Sequence, residues 1–153
     1  MSYVSPDPAF DGEAIARGDI KLDIGTLAKA ISWVEDGGKL PDPFLDAGKA
    51  KSQTIGITGS PGVGKSTITS ALVKAIRKSG DLVAVLAVDP SSPLTGGALL
   101  GDRIRMQEHY LDAGVYIRSM GSRGHLGGLA AATPQAIALV ANAGFTEIIV
   151  ETV

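Results

Sequence analysis

Gly59-Ser60-Pro61-Gly62-Val63-Gly64-Lys65-Ser66 fits the pattern G-x-x-x-x-G-K-[ST] and stands between an apolar run and a segment of helical periodicity. A loop that cradles phosphates belongs at that place, after a strand and before a helix. Upstream, Thr54-Ile55-Gly56-Ile57-Thr58 is a short β-branched run bounded by polar residues and glycine, the profile of a buried parallel strand. Downstream, Ile68, Ala71, Leu72, Ala75 and Ile76 recur at helical spacing. This predicts a core-facing stripe with Lys74, Arg77 and Lys78 turned outward and Gly80 ending the helix.

The residue types match the chemistry of a triphosphate. Phosphate oxygens must lie against successive backbone N–H groups, and a Cβ at Gly59, Gly62 or Gly64 would block the approach or forbid the dihedrals. Ser60, Pro61 and Val63 complete the cradle, and Thr67 follows Ser66 into the first helical turn. The N–H groups of that turn have no intrahelical acceptor and lie at the positive end of the helix dipole. Lys65 adds a full charge at the β and γ phosphates, and the Ser66 hydroxyl is a hard oxygen ligand suited to Mg²⁺. A glycine-rich turn without a ligand is the alternative, against which the flanking strand and helix argue.

Composition narrows the class. The chain has 153 residues, 44% hydrophobic and 20% charged, enough for one domain with a core and too few for two large ones. A net charge of −2 gives no basic footprint, which argues against nucleic acid as a partner. No apolar run approaches the ~20 residues of a spanning helix, so no membrane association is expected. The start, Met1-Ser2-Tyr3-Val4-Ser5-Pro6-Asp7, lacks the basic and apolar regions of a signal peptide. With no cysteine there is no disulfide or thiolate site, and the expected location is cytoplasmic.

Residues 1–52 differ in texture from residues 53–153. Leu27, Ala28, Ala30, Ile31 and Val34 suggest an amphipathic helix among Pro, Asp and Gly clusters, read as a helical arm. Asp46 through Ser52 reads as a linker into the first strand, and Trp33 as ordinary packing. Beyond the loop helix the pattern alternates: strand 82–88, helix 100–110, strand 115–120, helix 133–143, strand 148–153. Such alternation implies α/β architecture with a mostly parallel sheet and flanking helices. Thr133 and Pro134 read as N-cap and first helical residue, with Gly144 closing that helix.

In open α/β sheets ligands gather beyond the carboxyl ends of strands, so acidic residues there are candidates. Asp89 follows the run Ala84–Val88 and suits a water-mediated Mg²⁺ contact or the positioning of a water; equally, it suits a turn with Pro90 that caps Ser91 and Ser92. Glu151 ends Ile148-Ile149-Val150 and reads as an acidic residue opposite the loop hydroxyl, holding the metal or its water shell. A solvated strand end is the other reading of Glu151. Asp102 by itself reads as a helix N-cap ahead of Arg103. Arg123, His109 and His125 read as surface or packing residues.

Taken together, Gly56 through Thr67, Val85 through Ser92, Thr95-Gly96-Gly97 through Leu100-Gly101-Asp102-Arg103, Leu126-Gly127-Gly128 and Val150-Glu151-Thr152-Val153 resemble the MeaB/ArgK group of P-loop GTPases associated with methylmalonyl-CoA mutase. Ala16-Arg17-Gly18-Asp19 and Leu27 through Ile31 resemble that group's N-terminal helical extension. The resemblance implies a P-loop NTPase fold that binds GTP or GDP with Mg²⁺. It also implies a chaperone that gates cofactor loading or protection of an adenosylcobalamin-dependent acyl-CoA mutase, and a homodimer at full length. By motif, Lys65, Asp89 and Glu151 are the catalytic candidates, and Ser66, Asp89, Asp102 and Glu151 form the metal side. Members of the group continue past Glu-Thr-Val into a switch, an Asn-Lys-x-Asp guanine reader and a dimerising segment. The 153 residues contain no such reader, and the C-terminal half of the fold is expected to be incomplete. A P-loop ATPase or kinase, or a non-catalytic fragment with an exposed sheet edge and poor solubility, are the alternatives.

Overall fold

The computed structural model describes residues 11–60, 62–93, 109, 111–122 and 128–152. Three helices come first: α1 (Gly12–Arg17), α2 (Ile24–Glu35) and α3 (Asp42–Lys51). Strand β1 (Gln53–Ile57), helix α4 (Lys65–Lys78), strands β2 (Val83–Pro93) and β3 (Val115–Ser122), helix α5 (Gly128–Asn142) and strand β4 (Glu147–Thr152) follow. The four strands form one sheet in the order β1-β4-β2-β3, every pair parallel. Of the expected helix over 100–110 only residue 109 is described.

Strand parity sorts the side chains into two layers. Val83, Val85, Ile149, Val115 and Ile117 pack with Val73, Leu72 and Ile76 of α4. Ala84, Leu86, Ile148, Val150, Tyr116 and Met120 face the other way, onto a larger cluster shared with α2, α3 and α5. Alternation of this kind follows from the two-residue period of a strand. It puts Glu151, two residues past Ile149, on the α4 side of the sheet.

The helix ends obey local chemistry. Asp11 accepts from Glu13 N at 3.0 Å and Asp23 from Thr26 N at 2.8 Å, so α1 and α2 begin on side-chain caps. Gly80 closes α4 and Gly144 closes α5, with Gly144 N donating to Ala141 O at 3.1 Å.

Three expectations are corrected. First, the stripe that α4 turns to the core carries Thr69 and Val73, with Leu72 and Ile76 partly buried. Ile68 is 54% exposed, and Ala71 and Ala75 face solvent. Alanine scores as apolar yet contributes little burial, and the inward face is the one on which Val73, Leu72 and Ile76 pack against Val83, Val85 and Ile149. Arg77, expected to face out, is half-buried and bonded to Asp112. Second, residues 46–51 are the body of α3, with Pro43 in its first turn. Gly48 sits there because a Cβ would lie 2.9 Å from Ala138 Cα on α5. Third, α5 starts at Gly128, which leaves Pro134 inside the helix. Pro134 and Ala130, whose carbonyl loses its partner, are both exposed, so water can satisfy that oxygen.

The first three helices share the sheet's larger core. Ile15, Leu27, Ile31, Trp33, Val34, Leu40 and Phe44 join that cluster. Gln135 of α5 accepts from Leu40 N at 2.6 Å and donates to Gly38 O at 3.2 Å, satisfying backbone groups between α2 and α3. Arg118 of β3 donates to Glu35 Oε1 at 2.6 Å and to Ser32 Oγ at 2.8 Å on α2. Trp33 packs over Gly12 and Gly38, so it serves the core.

Candidate nucleotide-binding site

β1 delivers the chain to residues 58–64, and α4 receives it. Gly62 and Gly64 have φ of 83° and 96°, left-handed conformations that cost other residues about 1–2 kcal/mol each. Gly64 is also the N-cap of α4, and no side chain bonds there. Unlike those of α1 and α2, the first N–H groups of α4 therefore carry no side-chain cap, the condition for receiving an anion. The Lys65 ammonium arches back over the loop and donates to the Gly59 carbonyl.

Opposite the loop stands the end of β4. Register pairs Glu151 with Ile57, the last residue of β1, and with Ala87 of β2. Because β4 lies between β1 and β2 and Glu151 faces α4, its carboxylate meets the first turns of that helix. Ser66 Oγ lies 3.4 Å from Glu151 Oε1, and Thr69 Oγ1 donates to Glu151 Oε2 at 2.9 Å. Thr69 Oγ1 also lies 2.9 Å from Lys65 O.

The structure thus brings Lys65, Ser66 and Glu151 to one place at the carboxyl ends of the strands. Ser60, Val63 and Thr67 are exposed on the loop and first turn, Val63 at 62%. Asp89 falls near the end of β2, its backbone paired with Gly121 of β3. Pro61 and Asp102 lie outside the described residues, as do Arg123 and His125.

A hydroxyl and a carboxylate are hard oxygen donors, the set that suits Mg²⁺. Among the described residues no group of three or more His, Cys, Asp or Glu could hold a metal. Mg²⁺ fits such a sparse set, since it is commonly held by one or two protein oxygens together with phosphates and water.

The motif reading missed Thr69, which is fully buried. Its spacing was a usable signal: a threonine three residues after Ser66 lies on the same helical face. It also passed over the segment that braces α4 from the far side. His109 is buried and its Nε2 lies 2.9 Å from Ser70 Oγ, while Arg77 forms a two-pronged pair with Asp112 at 2.9 and 3.1 Å. The Arg77 hydrogen bond and then the Gly114 N–H hold the Asp112 carboxyl below its ordinary value of 3.8.

Known proteins align along most of this chain. A sequence-family model described as methylmalonyl-CoA mutase-associated GTPase MeaB matches residues 27–153. A Pyrococcus abyssi protein named as a GTPase is 61% identical over 99 residues, covering 65% of this chain and 31% of its own. GTPase ArgK of Escherichia coli is 41% identical over 135 residues, covering 84% of this chain and 41% of its own. The mouse mitochondrial methylmalonic aciduria type A homolog is 43% identical over 106 residues, covering 69% of this chain and 26% of its own. The chain spans less than half the length of each of these relatives.

Proposed function

Because this chain belongs to the family of methylmalonyl-CoA mutase-associated GTPases, MeaB, we propose that it binds Mg²⁺ and GTP on the loop from Gly59 to Thr67 and takes part in GTP hydrolysis. The bound nucleotide gates cofactor loading or protection of an adenosylcobalamin-dependent acyl-CoA mutase. One observation carries the nucleotide reading: Ser66 Oγ and Glu151 Oε1 stand 3.4 Å apart at the foot of a glycine loop whose helix has no side-chain cap.

The roles follow from the groups. Backbone N–H groups of the loop and first turn of α4 hold the β and γ phosphates, and Lys65 leaves the Gly59 carbonyl to donate to their oxygens. Ser66 and Glu151 would hold Mg²⁺, directly or through its waters, with Asp89 and Asp102 completing the acidic side. Mg²⁺ held there would supply positive charge against the phosphate oxygens. Asp89 orients the attacking water. Residues 53–153 form part of the GTP-binding domain and residues 1–52 its helical arm. The acidic balance and absence of cysteine support a cytoplasmic protein that binds neither nucleic acid nor membrane; no helix among the described residues is long and apolar enough to cross one. At full length the protein is a homodimer that contacts the mutase.

Titration calorimetry with Mg²⁺ and GTP, GDP or ATP tests this reading. Guanine nucleotides are expected to bind in preference to ATP, and Lys65→Ala to weaken them by about 1.5–3 kcal/mol, on the order of 10- to 100-fold. A preference for ATP would move the protein to the ATPases or kinases, and an unaltered affinity in Lys65→Ala would remove the loop from the site. Affinity capture of an acyl-CoA mutase, dependent on the nucleotide supplied, checks the partner.

A further inference from the structure

We propose that Thr69 is a positioning residue that orients the Glu151 carboxylate, presenting Oε1 to Ser66 and the cation between them; this rests on reading the loop as a Mg²⁺–nucleotide site. Thr69 is fully buried on α4, one turn beyond Ser66, and its hydroxyl sits 2.9 Å from both Lys65 O and Glu151 Oε2. A threonine inside a helix often bonds only the carbonyl four residues back. That habit explains the Lys65 contact and leaves the second one, to a strand 82 positions away, unexplained.

The hydroxyl has one proton for two acceptors, and a charged carboxylate is the stronger. Spending that proton on Oε2 fixes one oxygen of a side chain with several rotatable bonds, which leaves Oε1 few directions. Oε1 meets Ser66 Oγ at 3.4 Å, beyond the usual range of O–H···O bonds. Ser66 and Oε1 therefore exchange each other for a cation or its waters at little cost, while the Thr69 bond persists. This is the role outer-shell partners play at metal sites, where they aim a ligand they do not replace.

The geometry of both elements supports it. Ser66, Thr69 and Val73 follow one helical face, and Ile149 and Glu151 one face of β4, so the hydroxyl and carboxylate meet wherever Val73 packs on Ile149. Lys65, Ser66 and the loop glycines would bind phosphate without Thr69. Its loss is expected to touch the cation and spare the metal-free nucleotide.

The test compares Thr69→Val, which keeps the branched shape and removes the hydroxyl, with Thr69→Ser, which keeps the hydroxyl, in the full chain. Mn²⁺ affinity is read by electron paramagnetic resonance with GDP present, GDP affinity is read in EDTA, and urea unfolding reports the fold. Thr69→Val should weaken Mn²⁺ about 10- to 100-fold with GDP affinity in EDTA unchanged, while Thr69→Ser stays within about threefold of the unaltered chain. Should Thr69→Val fail to fold, Thr69→Ala takes its place against the same expectation. Mn²⁺ affinity preserved without the hydroxyl overturns the inference, and so does an equal loss in Thr69→Ser, which would assign the effect to packing. If the unaltered chain takes up no GDP, the nucleotide reading itself fails; GDP uptake with an indifferent Thr69→Val sinks the role of Thr69 alone.

Discussion

A carboxylate at the end of a strand points where its hydrogen-bond partners hold it, and at Glu151 the Thr69 hydroxyl of α4 holds Oε2 at 2.9 Å. Asp112 shows the same principle in a structural role, held by the Arg77 fork and by Gly114 N at 2.9 Å. Both contacts favour its charged form, so its folded pKa lies below 3.8. The sign follows: the pair's contribution is complete above that ordinary value and is lost as pH falls through the lower, folded one. Asp112→Asn is expected to lower the urea midpoint at pH 7, the two proteins converging as pH drops below 3.8; a gap that persists in acid would assign the loss to something other than charge. At this scale Lys65, Ser66 and Glu151 were legible as neighbours because a glycine-rich motif of fixed spacing and an acidic strand end put them at the carboxyl ends of the strands. Thr69 was legible only in part: its spacing from Ser66 put it on the same helical face, but its partner lies in a strand 82 positions away.

At the level of elements, the strands were read to within a residue at their starts, since period-two alternation and β-branched runs leave little choice. Helices were harder. On α4 the observed inward face carries Thr69 and Val73, where the expected stripe ran through Ile68, Ala71 and Ala75. Small residues misled the reading of 46–51, where Gly48 looked like a linker residue and is a contact point between α3 and α5. A Cβ at Gly48 would lie 2.9 Å from Ala138 Cα and 3.2 Å from Asn142 Nδ2. Asn142 also donates to Phe44 O at 3.2 Å, so the two helices cannot separate without breaking that bond. Gly48→Leu is expected to destabilise by about 1–3 kcal/mol or more through overpacking, seen as a lower thermal midpoint. Nucleotide affinity should hold, because the loop leads into α4, which packs on the other face of the sheet; a selective loss of nucleotide would contradict the layering.

For the whole molecule the decisive contacts are those that join the N-terminal helices to the sheet. Glu35 has a side chain only 1% exposed, and Arg118 is its cation at 2.6 Å. Removing one partner of such a pair leaves a buried charge, which costs about 3–5 kcal/mol, whereas replacing both with apolar groups of similar size is often neutral. Arg118→Met is therefore expected to destabilise strongly and to expose residues 11–52 to protease, with Arg118→Met/Glu35→Met recovering most of the loss. If the double variant is no better than the single one, the charge left behind is not the cause. At the sheet's other border, β1 pairs only with β4 among the described residues, and Gln53, Thr54 and Gly56 are exposed, an open edge of the kind that invites association.

The amino-acid order alone determined the glycine loop, the alternation of strand and helix, the parallel sheet and the acidic strand end, because each is written in residues close together in the chain. Only the tertiary structure decided that β4 inserts between β1 and β2, that α4 turns Thr69 inward, and that the first helices share the sheet's core. These depend on which distant surfaces bury each other. Burial is driven by area without regard to sequence separation, so partners such as Thr69 and Glu151 or Glu35 and Arg118 meet only when the layers close.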